Sequence, residues 1–157
     1  MSTKNIEPVF MGKPVTSPCL IPVLHSATPN CVAQPFMANG KPYAVTALSF
    51  GTPHGAVVVD DVDSVDVPSL GRALGSHALF PMGASIVFLQ ALSASHIKAR
   101  LWQRNAGETE FTREAACVAG TAAMMLQKVM QSQAEVSMGS ETVRVKWDRA
   151  TGVTLSC

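Results

Sequence analysis

The sequence predicts an α+β fold: a mixed β-sheet or barrel wrapped around one buried central helix. Three observations carry that prediction. From about Thr112 to about Gln133 the chain reads as a helix, and from Ala115 to Leu126 it is apolar nearly all round, which marks it as buried. The residues of that stretch are mostly small, so strands can approach it closely. On either side lie short segments with period-two alternation, the pattern of strands whose two faces differ. With 157 residues and no internal repeat, linker or low-complexity tract, the chain reads as a single domain over 1–157.

The elements follow in order. MGKPVTSPCLIP carries three prolines and predicts short extended pieces lying over a surface. Residues 25–41 predict a loop or weak hairpin with Asn39-Gly40 as its turn. Tyr43 to Phe50 alternates as a strand until Gly51-Thr52-Pro53-His54 breaks it. Gly55 to Val59 is a second short strand, closed by the acidic run DDVDSVD. Pro68 to His77 has helical spacing, with Ser69 as cap and Leu70, Ala73 and Leu74 on one face. Ser85 to Ala91 and His96 to Gln103 read as strands joined by a polar turn. The second alternates Ile97, Ala99 and Leu101 against Lys98, Arg100 and Trp102. After the central helix, Ala134 to Ser137, Glu141 to Trp147 and Val153 to Leu155 read as strands again.

Composition narrows the function. Hydrophobic residues make up 47% of the chain and charged residues only 15%, which points to surface covered by a partner. The formal net charge is +1 and no basic run is present, so a nucleic-acid partner has no support. No apolar stretch approaches bilayer length, and MSTKNIEPVF has no signal-peptide core, so no membrane role is expected. Cys19, Cys31, Cys117 and Cys157 lack metal-ligand spacing, and a reduced, cytoplasmic protein is the expectation. Asp60, Asp61, Asp63 and Asp66 lack the glycine turn and closing glutamate of a calcium loop and read as a solvated turn. His25, His77 and His96 are dispersed and take no role.

The chemistry concentrates between Trp102 and Thr121, in WQRNAGETEFTREAACVAGT. A strand, a tight turn and a helix follow one another there, and such a junction aims unpaired helix N–H groups at whatever lies in front. Thr112 stands at the junction, as an N-cap, as a reacting group, or as both. Arg113 and Glu114 read as an ion pair or as a ligand clamp. Arg104 reads as an anion binder or as the partner of Glu108 or Glu114, and Gln103 as an orienting hydrogen-bond group. His54 reads as a turn histidine or as a cleft acid or base, since imidazole titrates near neutrality.

Five motifs in series resemble the C-terminal half of diaminopimelate epimerases. MGKPVTSPCLIP resembles that family's MGxPxFxPxxIP, and LSFGTPHGAVVVDDVD resembles SMGNPHxVxFVDDVD. FPMGASIVF resembles FPxxxNVxF, WQRNAGETEFTREAACVAG resembles YERGxGETxACGTGACAAA, and ETVRVKWDRATGVTLS resembles LxIxWxxxxxVxLTG. The resemblance implies one of two similar halves, each a sheet around a central helix, with the active site in the cleft between them. It implies cofactor-free proton transfer on a small anionic substrate of the amino-acid class, with no metal. The missing half would come from a second copy, making a homodimer, or from a complementary half-chain.

The departures from the family pattern fall on its site. Thr112 stands where the resemblance places a catalytic cysteine, and a threonine hydroxyl is no base near neutral pH. Gln103 stands for that cysteine's glutamate partner. Thr52 and Ser85 stand for substrate-binding asparagines, and Arg113 and Glu114 for the residues whose N–H groups hold the substrate carboxylate. His54 and Arg104 keep the family's residue types; Cys117 matches a second, non-catalytic helix cysteine. Proline racemase-like dehydratases with threonine for one thiol, and PhzF-like isomerases with no catalytic thiol, resemble this arrangement. Three classes of function stand on these grounds. They are a proton-transfer isomerase working through His54, a silent subunit or binding protein, and a biosynthetic cyclase with a more apolar pocket.

Overall fold

A computed structural model describes residues 8–24 and 30–156. Ten strands form one mixed sheet. They are β1 (Val9–Gly12), β2 (Gln34–Ala38), β3 (Lys41–Ser49), β4 (Pro53–Val58), β5 (Ser85–Ala91), β6 (His96–Gln103), β7 (Gly107–Thr109), β8 (Gln133–Met138), β9 (Glu141–Asp148) and β10 (Gly152–Ser156). Two helices accompany them, α1 (Val67–Gly75) and α2 (Arg113–Met125). The spatial order is β1-β10-β9-β8-β6-β5-β4-β3-β2, with β7 paired to β6 off that path. Neighbours are antiparallel except β4 with β5 and β6 with β8. Those two parallel pairs each need a crossover, and the chain makes one through α1 and the other through α2.

The sheet is not a closed barrel, which corrects half of the expectation. Among the described residues the ladder stops at β1, and an isolated bridge alone spans the gap to β3. There Val15 and Ser49 exchange backbone hydrogen bonds of 2.8 and 2.9 Å. Three prolines between Gly12 and Val23 leave that segment without the donors a longer ladder would use.

Strand alternation sorts the core onto two faces. Val87 and Leu89 of β5, and Ile97, Ala99 and Leu101 of β6, pack on the α2 side. Ile86, Phe88 and Trp102 pack on the other side with Leu70 and Leu74 of α1. Residues 115–124 of α2 are all buried, Cys117, Ala119 and Met124 among them, so the central helix is where its composition placed it.

Two local expectations need correction. The central helix ends at Met125 and not near Gln133. Gln127 takes a left-handed conformation (φ +59°), and the N–H groups of Lys128 and Val129 turn back to the Ala123 carbonyl. This closure satisfies helix-end carbonyls and lets Val129, 1% exposed, enter the core before β8 begins. Helix α1 is capped by Asp66 and not by Ser69: the Asp66 carboxylate accepts from the Ser69 N–H. Of the two readings of the 25–41 segment, the hairpin is the one present over its described part. Asn39 and Gly40, at φ +49° and +79°, join β2 to β3 in a two-residue turn. His25 lies outside the described residues, as does Cys157.

Candidate functional site

Two chain reversals and a helix start meet at one rim of the sheet. The first is the turn from β3 to β4, where Gly51 at φ +143° allows the chain to double back. His54 follows in β4 and shares a face with Ala56, which packs on the α2 side. His54 is therefore aimed at the start of α2, and it is 3% exposed. Its parallel neighbour in β5 is Ser85.

Thr112 is the N-cap of α2. Its backbone is extended and its Oγ1 accepts from the Ala115 N–H at 3.0 Å. The capping expectation is met, and a Thr cap contributes about 1 kcal/mol to helix stability. Glu114, in the first turn, does not pair with Arg113. Its Oε2 accepts from both the Thr52 N–H and the Thr52 hydroxyl, each at 2.8 Å. The same oxygen lies 3.9 Å from His54 Nδ1.

The histidine's protonation follows from its neighbours. Nδ1 lies 2.9 Å from the Thr52 carbonyl, which can only accept, so Nδ1 carries the hydrogen. In the neutral ring Nε2 is then the basic atom. Burial lowers the pKa below its ordinary value, against opposing contributions from the Thr52 hydrogen bond and the Glu114 charge. The ring is neutral at physiological pH, which is the form a general base requires. Cys117, buried one turn further into α2, has its thiol pushed up to about 12 by desolvation and then by Glu114. It forms no thiolate at working pH and cannot serve as a thiolate base.

Beside this cluster Thr52, Ser85, Gln103 and Arg104 line a cavity of about 230 Å³. Ser85 Oγ accepts from the Arg104 N–H at 3.1 Å, tying β5 to the β6–β7 turn. The Arg104 side chain bonds the Met82 carbonyl and neither of the carboxylates proposed for it. Glu108 is taken by Arg100 instead, at 2.8 Å. Arg113 turns away and lines a separate hollow with Phe111 and Leu155. Three larger hollows, of about 260, 440 and 560 Å³, lie elsewhere and gather none of these groups. The acidic run is used structurally: Asp61 caps a 3-10 turn over Val62–Ser64, Asp66 caps α1, and Asp63 pairs with Lys98 at 2.5 Å. Among the described residues no three His, Cys, Asp or Glu side chains converge to hold a metal, and no helix is long and apolar enough to cross a membrane.

The sequence missed the clasp between Thr52 and Glu114. The two lie 62 residues apart, so no periodicity connects them. It also missed Gly83 (φ +74°), where an added Cβ would fall 2.4 Å from Arg104 Nε. The Phe-Pro-Met-Gly run was the available signal for that turn.

The profile of the diaminopimelate epimerase family matches residues 46–156, which contain every residue of this rim. The chain belongs to the diaminopimelate epimerase family. It is 32% identical to a diaminopimelate epimerase of Desulfovibrio desulfuricans over 152 residues, covering 91% of this chain and 51% of that protein. It is 35% identical over 148 residues to the one of Pseudomonas paraeruginosa, covering 91% and 52%. The chain thus spans about half the length of the curated relatives it matches. A phenazine biosynthesis protein of the PhzF family from Bacillus anthracis has a similar fold. Its TM-score is 0.52 at 19% identity, over 72% of this chain and 44% of that one.

Proposed function

We propose that the chain is a cofactor-independent proton-transfer isomerase, acting on a small anionic substrate of the amino-acid class. The observation that carries this is His54. Its second ring nitrogen is the basic one, its charge is suppressed by burial, and its chain neighbours Thr52 and Pro53 and its strand partner Ser85 line a cavity with an arginine in its wall. Arg104 holds the anionic group, Gln103 and Ser85 orient the rest, and His54 Nε2 takes the proton. Thr112 holds α2 in place. The reaction is a one-base isomerisation, epimerisation or elimination, because the Cys117 thiol beside the rim does not ionise at working pH.

A second chain, a homodimer partner or a complementary half, covers the rim on this reading. Leu20, Leu24 and Met82 are 70, 60 and 59% exposed, and the Leu24 N–H bond to the Leu79 carbonyl brings that loop beside the one carrying Met82. Exposed side chains of this size favour a covering partner. A monodisperse monomer by light scattering at micromolar concentration would count against it.

The catalytic test is solvent deuterium incorporation at the α-carbon of a panel of amino and hydroxy acids. His54→Asn abolishes incorporation while binding persists, and Cys117→Ala leaves it nearly intact. Full incorporation by His54→Asn would sink the proposal. Two observations favour a silent binding subunit instead: His54 is 3% exposed, and the helix start already carries an internal carboxylate. That reading gives binding with no incorporation by any form of the chain. The cyclase alternative calls for an apolar pocket, whereas this wall sets Thr52, Ser85, Gln103, Arg104 and Asn105 beside Pro53, Gly83 and Ala84.

A further inference from the structure

The Thr52 turn is built to receive a carboxylate. It offers a main-chain N–H and a hydroxyl to a single oxygen, each at 2.8 Å, with the His54 ring 3.9 Å away. Charge-assisted bonds of this kind are the strong ones. The oxygen they hold belongs to Glu114, so tertiary structure and not local capping seats it. The seat also lies at the first turn of α2, where the helix dipole favours negative charge.

We infer that Glu114 is a specificity-determining residue: it fills the carboxylate seat at the start of α2 and bars a ligand's carboxylate from it. The inference rests on the reading of this rim as a ligand site and narrows the ligand. Thr52 is shared between the seat and the cavity that Arg104 lines. A ligand's anionic group is therefore left with Arg104. The ligand group turned toward Glu114 is a hydrogen-bond donor, an ammonium or a hydroxyl. The ligand class is a monoanion carrying such a donor, and a molecule needing two carboxylate seats is excluded.

The test titrates acetate into the full chain and reads the Thr52 backbone amide by 15N NMR. In the unmodified chain that amide shows no saturable shift. In Glu114→Ala, and in Glu114→Asp with its shorter reach, the amide saturates with an affinity at least about tenfold higher, as expected for a vacated charge-assisted bond. Glu114→Asp keeps the first-turn charge and tests the seat even if Glu114→Ala fails to fold. The inference is overturned if the unmodified chain binds acetate at Thr52 as tightly as the variants. It is also overturned if the folded variants leave Thr52 unmoved. Acetate binding needs no turnover, so a failed His54 experiment sinks the catalytic reading and leaves this one standing, and the reverse holds as well.

Discussion

The two faces of the sheet are packed by opposite strategies. On the α2 face the helix contributes Ala115, Ala116, Cys117, Ala119, Gly120, Ala122 and Ala123, and the strands contribute the bulk. On the α1 face the bulk is aromatic, with Phe36, Phe80, Phe88 and Trp102, and the helix recedes. Gly71 and Gly75 lie one turn apart on α1, and both meet Trp102: a Cβ at either would fall 2.4 Å from the indole. A helix can therefore be sunk into a sheet by making the whole helix small, or by cutting a slot in it for one large side chain. The first leaves the helix rigidly placed, and its N-terminus is where the polar rim is built. The second serves packing alone.

Trp102→Ala should break the α1 face most, because it empties the slot between Gly71 and Gly75; a loss of about 3–5 kcal/mol is expected in denaturant unfolding. Gly75→Ala comes next, at about 1–3 kcal/mol. The new methyl would lie 2.5 Å from the Ala84 carbonyl as well as on the indole, so backbone must move. Gly120→Ala on the α2 face should cost less. Its methyl's nearest neighbours belong to the Val145 side chain, at 2.8 Å, with no backbone atom among them, and helix propensity returns about 1 kcal/mol. Equal losses at Gly75 and Gly120 would erase the distinction between the faces. Thr112→Ala should remove about 1 kcal/mol through the lost cap.

The smallest effect is a pH slope. Burial depresses the His54 pKa in the folded chain, so the unfolded chain binds that proton more readily. The stability this group contributes is present above about pH 6.5, the ordinary histidine value, and is lost as pH falls from there through the folded pKa. His54→Asn should flatten the unfolding free energy over that window. An unchanged slope would show that the ring is not held neutral.

The sequence reported most of this architecture because most of it is local. The small-residue run could only be a buried helix, and the alternation of β6 assigned Ile97, Ala99 and Leu101 to one face correctly. The C-terminal end of α2 was hidden because Leu126 to Gln133 has helical composition, and only the need to bury Val129 turns it. The cap of α1 was misplaced because Asp66 and Ser69 are both good capping residues, and Pro68 at the second helical position settles the matter only once the frame is known. At the rim, Thr52, His54, Ser85, Gln103 and Arg104 do gather. Adjacency in sequence suggests a pair of Glu114 with Arg113, whereas in a helix adjacent residues diverge.

The pairing of β1 with β10 sets an order of events. Val9 lies opposite Leu155 and Phe10 opposite Thr154, so the first described strand finds its ladder only in the last. A chain made from its N-terminus must hold that strand in waiting while everything between is synthesised and folded. The α2 core can form without it, since its other strands and crossovers lie between. Closing so long a loop late is costly in time and not in stability. In pulse-labelled refolding, the amides of Val9 and Leu155 should gain protection after those of α2 and β8. Simultaneous protection would mean that the two ends of the sheet meet before its centre is built.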